Sequence, residues 1–146
     1  MISNERQYRI TKAHAEKFSR ALQEATAHSG VDPLLEKLER DALSSQLHDL
    51  EQELQEYEML RSGEESVLTL DSFAELPHAL IKARVASGLT QKDLADRLGL
   101  KEQQIQRYEA TDYTAASVRR LKQVIEALDI RVHADVFLGA SKTARY

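Results

Sequence analysis

The chain has 146 residues and a net charge of −4, with no cysteine, no tryptophan, 42% hydrophobic and 30% charged residues. This composition is typical of a soluble protein of one domain or two small ones, and it excludes disulfides, thiolate metal sites and cysteine nucleophiles. No apolar run approaches the roughly 18 residues of a membrane span, and the charged N-terminal residues do not resemble a secretory signal, so we expect a cytoplasmic protein.

Charge is distributed unevenly along the chain. Residues 1–75 carry 8 Lys and Arg against 16 Asp and Glu, a net charge of −8, whereas residues 76–131 carry 10 against 7, a net charge of +3. Basic side chains that neutralise phosphates contribute salt-dependent affinity for nucleic acid. The division therefore indicates that polyanion binding, if present, belongs to the second part of the chain.

Two long helices are predicted before residue 64. Apolar residues at helical spacing predict the first over residues 10–28, with Gly30 as its stop. Asp32 and Pro33 then have the pattern of an N-cap and a first helical residue, and neither Gly nor Pro follows until Gly63.

A heptad seam runs along the second helix, with acidic residues beside it. The seam predicts either an intramolecular hairpin with the first helix or a surface that dimerises or holds another protein, and different ends of the stripe could serve both purposes. The seam residues are Leu43, Leu47, Leu50, Leu54 and Tyr57, and the flanking acids are Asp49, Glu51, Glu53, Glu56 and Glu58.

A polar break at residues 62–66 separates a predicted helical arm, residues 1–66, from a second domain, residues 67–146. Four short helices are predicted in that domain, over residues 76–87, 91–98, 101–110 and 115–128. Residues 130–138 then alternate apolar and polar side chains, as in a strand. Because a lone strand needs a partner, we expect this segment to pair with the same strand of another subunit in a homodimer, unless residues 66–70 supply a second strand. The predicted fold is all-α except for this short dimerisation strand.

Residues 90–110 have the spacing of a helix-turn-helix. Ala95 is small enough for two helices to cross closely, and Gly99 tolerates the positive φ of the turn. Thr90 and Asp93 form the pattern of a capping box. The apolar faces that would hold the corner closed are Leu94, Leu98, Leu100, Ile105 and Tyr108.

The second helix of this motif has the side chains of a base-reading surface. With Ile105 and Tyr108 facing inward, Gln103 and Arg107 lie near the centre of the opposite face. Gln matches adenine and Arg matches guanine in the major groove. Glu102, Gln106 and Ala110 flank them, Gln91 and Lys92 are placed to meet phosphate at a helix N-terminus, and Arg84, Arg119 and Arg120 are further candidates for backbone contacts.

The pattern Gly88-Leu-Thr-Gln-x-x-Leu-Ala-x-x-Leu-Gly99, followed by Ile105-x-Arg-Tyr-Glu109, resembles the lambda-repressor-like, or XRE, helix-turn-helix family. This resemblance covers about residues 76–130 and implies an operator-binding dimer with the helix from Lys101 in the major groove. It implies that Gln91 contacts phosphate and that Glu102, Gln103 and Arg107 lie over bases. The chain departs from the family pattern at Lys101, where a Ser or Thr cap is usual, and at Glu102, whose charge faces DNA.

The layout of an arm followed by this domain also resembles antitoxins and small regulators of bacteria and phages. We therefore predict a DNA-binding repressor of its own operon, cytoplasmic and associated with the nucleoid when bound to DNA. The alternative is an antitoxin whose acidic arm neutralises a protein toxin. The five histidines have no metal-ligand spacing and the serines no nucleophile-elbow context, so no metal, cofactor or enzymatic activity is implied.

Overall fold

A computed structural model of the protein describes residues 1–27, 30 and 32–139. Within that part, the elements are six α-helices and one 3₁₀ turn, Phe73–Glu75. The helices are α1 (Glu5–Ala27), α2 (Pro33–Ser62), α3 (Leu76–Ala86), α4 (Gln91–Leu98), α5 (Glu102–Ala110) and α6 (Val118–Ala127). The chain divides into two compact units, Met1–Glu64 and Glu65–Tyr146.

The first unit is a pair of antiparallel helices. The start of α1 contacts the end of α2: the Tyr8 hydroxyl donates to Glu58 Oε1 at 2.6 Å, and the Tyr8 and Tyr57 rings stack with centroids 5.0 Å apart. Ile2, ahead of α1, is buried as well. In the heptad seam Tyr57 is buried and the four leucines are half-buried, so the seam packs within the chain along α1.

Helix α1 begins five residues earlier than its apolar spacing predicts. Asn4 supplies the reason, because its side-chain oxygen accepts from the backbone N–H of Gln7 at 2.8 Å. Gln7 in turn accepts from the backbone N–H of Ser3 at 2.8 Å. These bonds satisfy donors that a helix start leaves unpaired. The predicted end at residue 28 lies outside the described residues.

The second unit packs α3, α4, α5 and α6 around one apolar core. Leu80, Leu94, Ile105 and Val124 lie at its centre, each at most 1% exposed. Helix α6 begins at Val118, three residues later than predicted, because the Ser117 hydroxyl caps it and accepts from the Arg120 N–H at 3.1 Å. The apolar faces named for the helix-turn-helix all contribute, with Leu98, Leu100 and Tyr108 packed against the buried cluster.

The predicted C-terminal dimerisation strand is wrong. No strand occurs in residues 1–27, 30 or 32–139, and residues 131–137 have no regular secondary structure. Val132, Val136 and Leu138 are 43%, 81% and 89% exposed. Alternation favours a strand only where a neighbouring strand accepts the backbone hydrogen bonds. Residues 66–70 are not a strand either, so the alternating residues have no sheet to join within the described part of the chain.

None of the helices in the described part of the chain is both long and apolar enough to span a membrane.

Candidate nucleic-acid interface

The corner between α4 and α5 is rigidly built. Leu94 and Ala95 are each 1% exposed, and Ile105 is fully buried. Gly99 ends α4 with φ 67°, in the left-handed region that favours glycine, and the Leu100 N–H then donates to the Ala95 carbonyl at 2.9 Å. The predicted roles of Ala95 and Gly99 are confirmed.

The N-terminus of α4 carries the predicted capping box. The Asp93 N–H donates to the Thr90 hydroxyl at 3.0 Å, and the Thr90 N–H donates to the Asp93 carboxylate at 2.8 Å. The hydrogen bonds from the backbone and side chain of Thr90 lower the pKa of Asp93 below its ordinary value. The box fixes the start of the helix on which Gln91 and Lys92 lie.

A buried ion pair joins α3 to α5. Arg84 Nε and Nη2 donate to the two carboxylate oxygens of Glu109 at 2.5 and 2.9 Å, and Nη1 donates to the Leu89 carbonyl at 2.8 Å. Arg84 is 1% exposed and Glu109 7%. The prediction that Arg84 contacts a DNA backbone is therefore wrong, because its guanidinium is enclosed and bidentately paired.

Gln91 belongs to the same network. Its side-chain amide donates to Glu109 Oε2 at 2.8 Å, so the first residue of α4 is tied to α5. Gln91 is half-buried, and the amide oxygen and second N–H have no other hydrogen bond within the described residues. Glu109 thus orients Gln91 by one bond and leaves part of its amide available to a ligand. The signal for this network in the sequence was weak: two charged residues on otherwise inward faces, 25 positions apart.

The outer face of α5 is polar and exposed. Gln103 and Arg107 are both exposed, and within the described residues their side chains make no hydrogen bond or ion pair. Beside them, Gln106 Nε2 lies 3.4 Å from Glu102 Oε1, a long contact one turn apart. The helix therefore presents two unengaged forked side chains next to a weakly held Gln–Glu pair.

The two lysines named from the sequence lie at helix starts. Lys92 Nζ donates to Asp96 at 2.9 Å, and this hydrogen bond raises the pKa of Lys92. Lys101 precedes α5 in the N-cap position without a side-chain cap, and its backbone N–H donates instead to the Gln104 side chain at 3.0 Å. Both ammonium groups are exposed.

The arginines at the start of α6 lie in different surroundings. Arg119 is exposed, whereas Arg120 is half-buried with its guanidinium carbon 6.0 Å from the centre of the Tyr108 ring. Tyr108 also stacks on Tyr113 with centroids 5.4 Å apart, and burial raises the pKa of Tyr113. Arg120 is thus packed on the end of α5.

The loop that leaves α5 is conformationally restricted. Asp112 and Tyr113 both have positive φ, 48° and 54°, and Tyr113 is 3% exposed. Burial of the tyrosine ring holds the two residues in a region that side chains other than glycine rarely adopt. Nothing in the sequence pattern of this loop predicted that conformation.

Residues 80–133 match the family model described as Helix-turn-helix. No curated protein and no solved structure matches the chain. Within the described residues, no group of three His, Asp or Glu side chains is placed to hold a metal ion. The matched segment begins in α3 and contains α4, α5 and α6, which form the corner, the buried network and the exposed polar face. The family match confirms the resemblance stated from the sequence: residues 80–133 are an XRE-family, lambda-repressor-like helix-turn-helix domain, and the protein is a DNA-binding transcriptional regulator.

Proposed function

We propose that the protein is a repressor that binds operator DNA as a homodimer and controls its own operon in the cytoplasm. The observation that carries this proposal is the outer face of α5, a helix held by a buried core, where Gln103 and Arg107 are exposed and their side chains bond to none of the described residues. Side chains that are free before binding can hydrogen-bond to base edges without first breaking internal bonds.

The chemistry of this face is suited to the major groove. Gln pairs with adenine and Arg with guanine, each good bidentate contact discriminating by about 1–3 kcal/mol. Glu102 could accept a hydrogen bond from a cytosine amine. Its contact with Gln106 is long, 3.4 Å, so Glu102 can give up this contact for one with a base. The proposed reading residues are therefore Glu102, Gln103, Gln106 and Arg107.

Gln91, Lys92 and Lys101 are proposed to contact the phosphate backbone. Gln91 lies in the first turn of α4, where backbone N–H groups favour an anion, and its orientation is set by the bond to Glu109. The lysines are exposed charges at the starts of α4 and α5. Phosphate contacts of this kind set the register of a protein on DNA, while base contacts provide sequence preference.

The proposed mechanism of repression is steric. In a dimer, two copies of α5 would enter successive major grooves about 34–36 Å apart and occupy the promoter.

The test is the double variant Gln103→Ala/Arg107→Ala. Binding to the DNA upstream of the gene is measured by fluorescence anisotropy against a shuffled duplex, at two salt concentrations. The loss of two base contacts should reduce the preference for the upstream DNA at least about 30-fold. The matched control is Arg9→Ala/Gln55→Ala, which removes the same residue types from exposed positions of the arm.

Two results would contradict the proposal. If the double variant keeps the preference of the native protein, α5 does not read the operator. If the native protein binds both duplexes equally and weakly, the upstream DNA is not its operator.

A second candidate function is that of an antitoxin, favoured by the acidic part of α2. Between Asp41 and Arg61 the helix has five carboxylates and no Lys or Arg, and Asp49 and Glu51 are exposed there. Such a surface attracts a basic protein. If the product of the neighbouring gene is held here, Asp49→Lys/Glu51→Lys should weaken its co-purification with the chain and leave DNA binding unchanged. Unchanged co-purification would exclude this surface.

A further inference from the structure

The first two turns of α2 expose three leucines. Leu34, Leu35 and Leu38, called the apolar tip here, are 67%, 64% and 57% exposed. Leu34 and Leu38 are one turn apart and Leu35 lies beside them, so their side chains form one contiguous surface. Adjacent exposed leucines of this kind mark interaction sites more often than single ones do.

The apolar tip faces away from the seam that packs on α1. At about 100° per residue, its centre lies about 130° around α2 from the centre of that seam. The positions that continue the seam into these turns are Glu36 and Arg40, and both are half-buried. The side of α2 that continues the seam is therefore polar at this end, and the three leucines remain largely exposed within the described part of the chain.

We infer that the apolar tip is the surface through which a second copy of this chain docks. The charges around the leucines favour this occupant. Three charged side chains beside the leucines are exposed, one basic and two acidic: Lys37, Glu39 and Asp41. In a two-fold interface a patch meets itself, so a rim of both signs allows favourable pairs where a rim of one sign would repel.

The acidic stretch farther along α2 shows the contrast. Residues 49–58 carry five carboxylates and no basic side chain. This surface would repel a second copy of itself and attract a basic protein instead. The two ends of α2 are therefore suited to different occupants, and the mixed-charge, apolar end is the one suited to self-association.

The docking geometry follows from helix packing. Residues four apart form ridges on a helix, and the ridge of Leu34 and Leu38 would lie in the groove beside the equivalent ridge of the second copy. Such contacts would bring two helix-turn-helix units into one assembly without a sheet. This inference rests on the proposal that the protein acts on DNA as a homodimer.

The test compares the full-length native protein with Leu34→Glu/Leu38→Glu by sedimentation equilibrium over a wide concentration range. The native protein should be a dimer, and the variant should have a dimer dissociation constant at least about 100-fold higher, since buried anchors dominate interface energies. The control Ile10→Glu/Met59→Glu makes the same change at two apolar positions of the same unit that are 47% and 45% exposed, and it should remain a dimer.

Circular dichroism melting separates loss of docking from loss of folding. The melting temperatures of the tip variant and the native protein are extrapolated to low concentration, where both are monomers. Because the leucines are exposed in the monomer, the two values should be equal. If the glutamates nevertheless unfold the arm, Leu34→Ser/Leu38→Ser replaces them in the same experiment. A tip variant that remains folded and dimerises as tightly as the native protein overturns the inference.

DNA binding distinguishes the failure of this inference from the failure of the proposed function. The tip variant should keep its preference for a single half-site and lose affinity for the full operator. A native protein that is monomeric at every concentration overturns the docking site while its operator preference still tests α5. A native dimer without operator preference refutes the proposed operator and leaves the docking result standing.

Discussion

The Arg84–Glu109 pair yields the strongest stability prediction. Replacing Arg84 by methionine keeps a long apolar side chain in place and removes every hydrogen bond of the guanidinium. Among the described residues this removes three hydrogen bonds, two to Glu109 and one to the Leu89 carbonyl. Within the part of the chain that the structure describes, the buried Glu109 carboxylate would then keep Gln91 as its side-chain donor.

The expected cost is about 3–5 kcal/mol of unfolding free energy for the second unit, because removal of one partner leaves an uncompensated buried charge. The double variant Arg84→Met/Glu109→Leu removes both charges. We expect it to recover most of that loss, since apolar residues of similar volume often replace a buried ion pair at little net cost. This comparison separates the cost of an orphaned charge from the value of the pair.

Hydrogen exchange measured by mass spectrometry is suited to this test because the two units report separately. Peptides from α4 and α5 should lose protection in Arg84→Met and regain it in the double variant, while peptides from α1 and α2 serve as an internal control. The reasoning would be refuted if Arg84→Met costs less than about 1 kcal/mol, or if the double variant is as unstable as the single one.

Three further substitutions test local features by thermal unfolding. Gly99→Ala should lower stability by about 1–2 kcal/mol through its positive φ alone, since no atom lies within 4 Å of an added Cβ, and an unchanged melting temperature would contradict this. Asp129→Gly should raise stability by up to about 1 kcal/mol, because Asp129 has φ 53° after the end of α6 and glycine adopts that conformation without strain, whereas a lower melting temperature would show that the Asp129 side chain matters more. Because the pKa of Asp93 is lowered, its ionised form stabilises the fold fully above the ordinary pKa of 3.8, and this contribution is lost as the pH falls through the pKa of the folded state. The difference in melting temperature between the native protein and Asp93→Asn should therefore shrink on acidification. A difference independent of pH would refute the assignment.

Local signals predicted the helix-turn-helix well because they act within a few residues. The cap formed by Thr90 and Asp93, the small Ala95 and the left-handed Gly99 are each defined by the immediate chain, and all agree on one corner. The signal that sets the start of α1 is equally local. Asn4 followed three residues later by Gln7 is a capping signal, and it outweighs the absence of apolar periodicity before residue 10.

Contacts between distant residues could not be predicted in the same way. An arginine in a basic segment is compatible with both phosphate binding and burial, and only the packing of α3 against α5 places Arg84 opposite Glu109. The same holds for Gln91, whose orientation depends on a carboxylate 18 residues later. The pairing partner of an ionisable group is a property of the tertiary fold, so composition and spacing leave it open.

The overturned strand and the apolar tip have a common physical origin. Periodicity shows which side chains would be stabilised by burial, but it does not show which element they pack against. In α2 the seam from Leu43 to Tyr57 packs against α1, which belongs to the same unit. Residues 130–138 have the period of a strand, but residues 1–27, 30 and 32–139 contain no strand that could pair with them, so an extended backbone would form no ladder there. The leucines of the apolar tip need no ladder, because they already lie in a helix whose first turn is capped by Asp32, and it is their side chains that require a partner. A second copy can provide that partner at no backbone cost, which is why self-association is expected on the helix and not on the alternating tail.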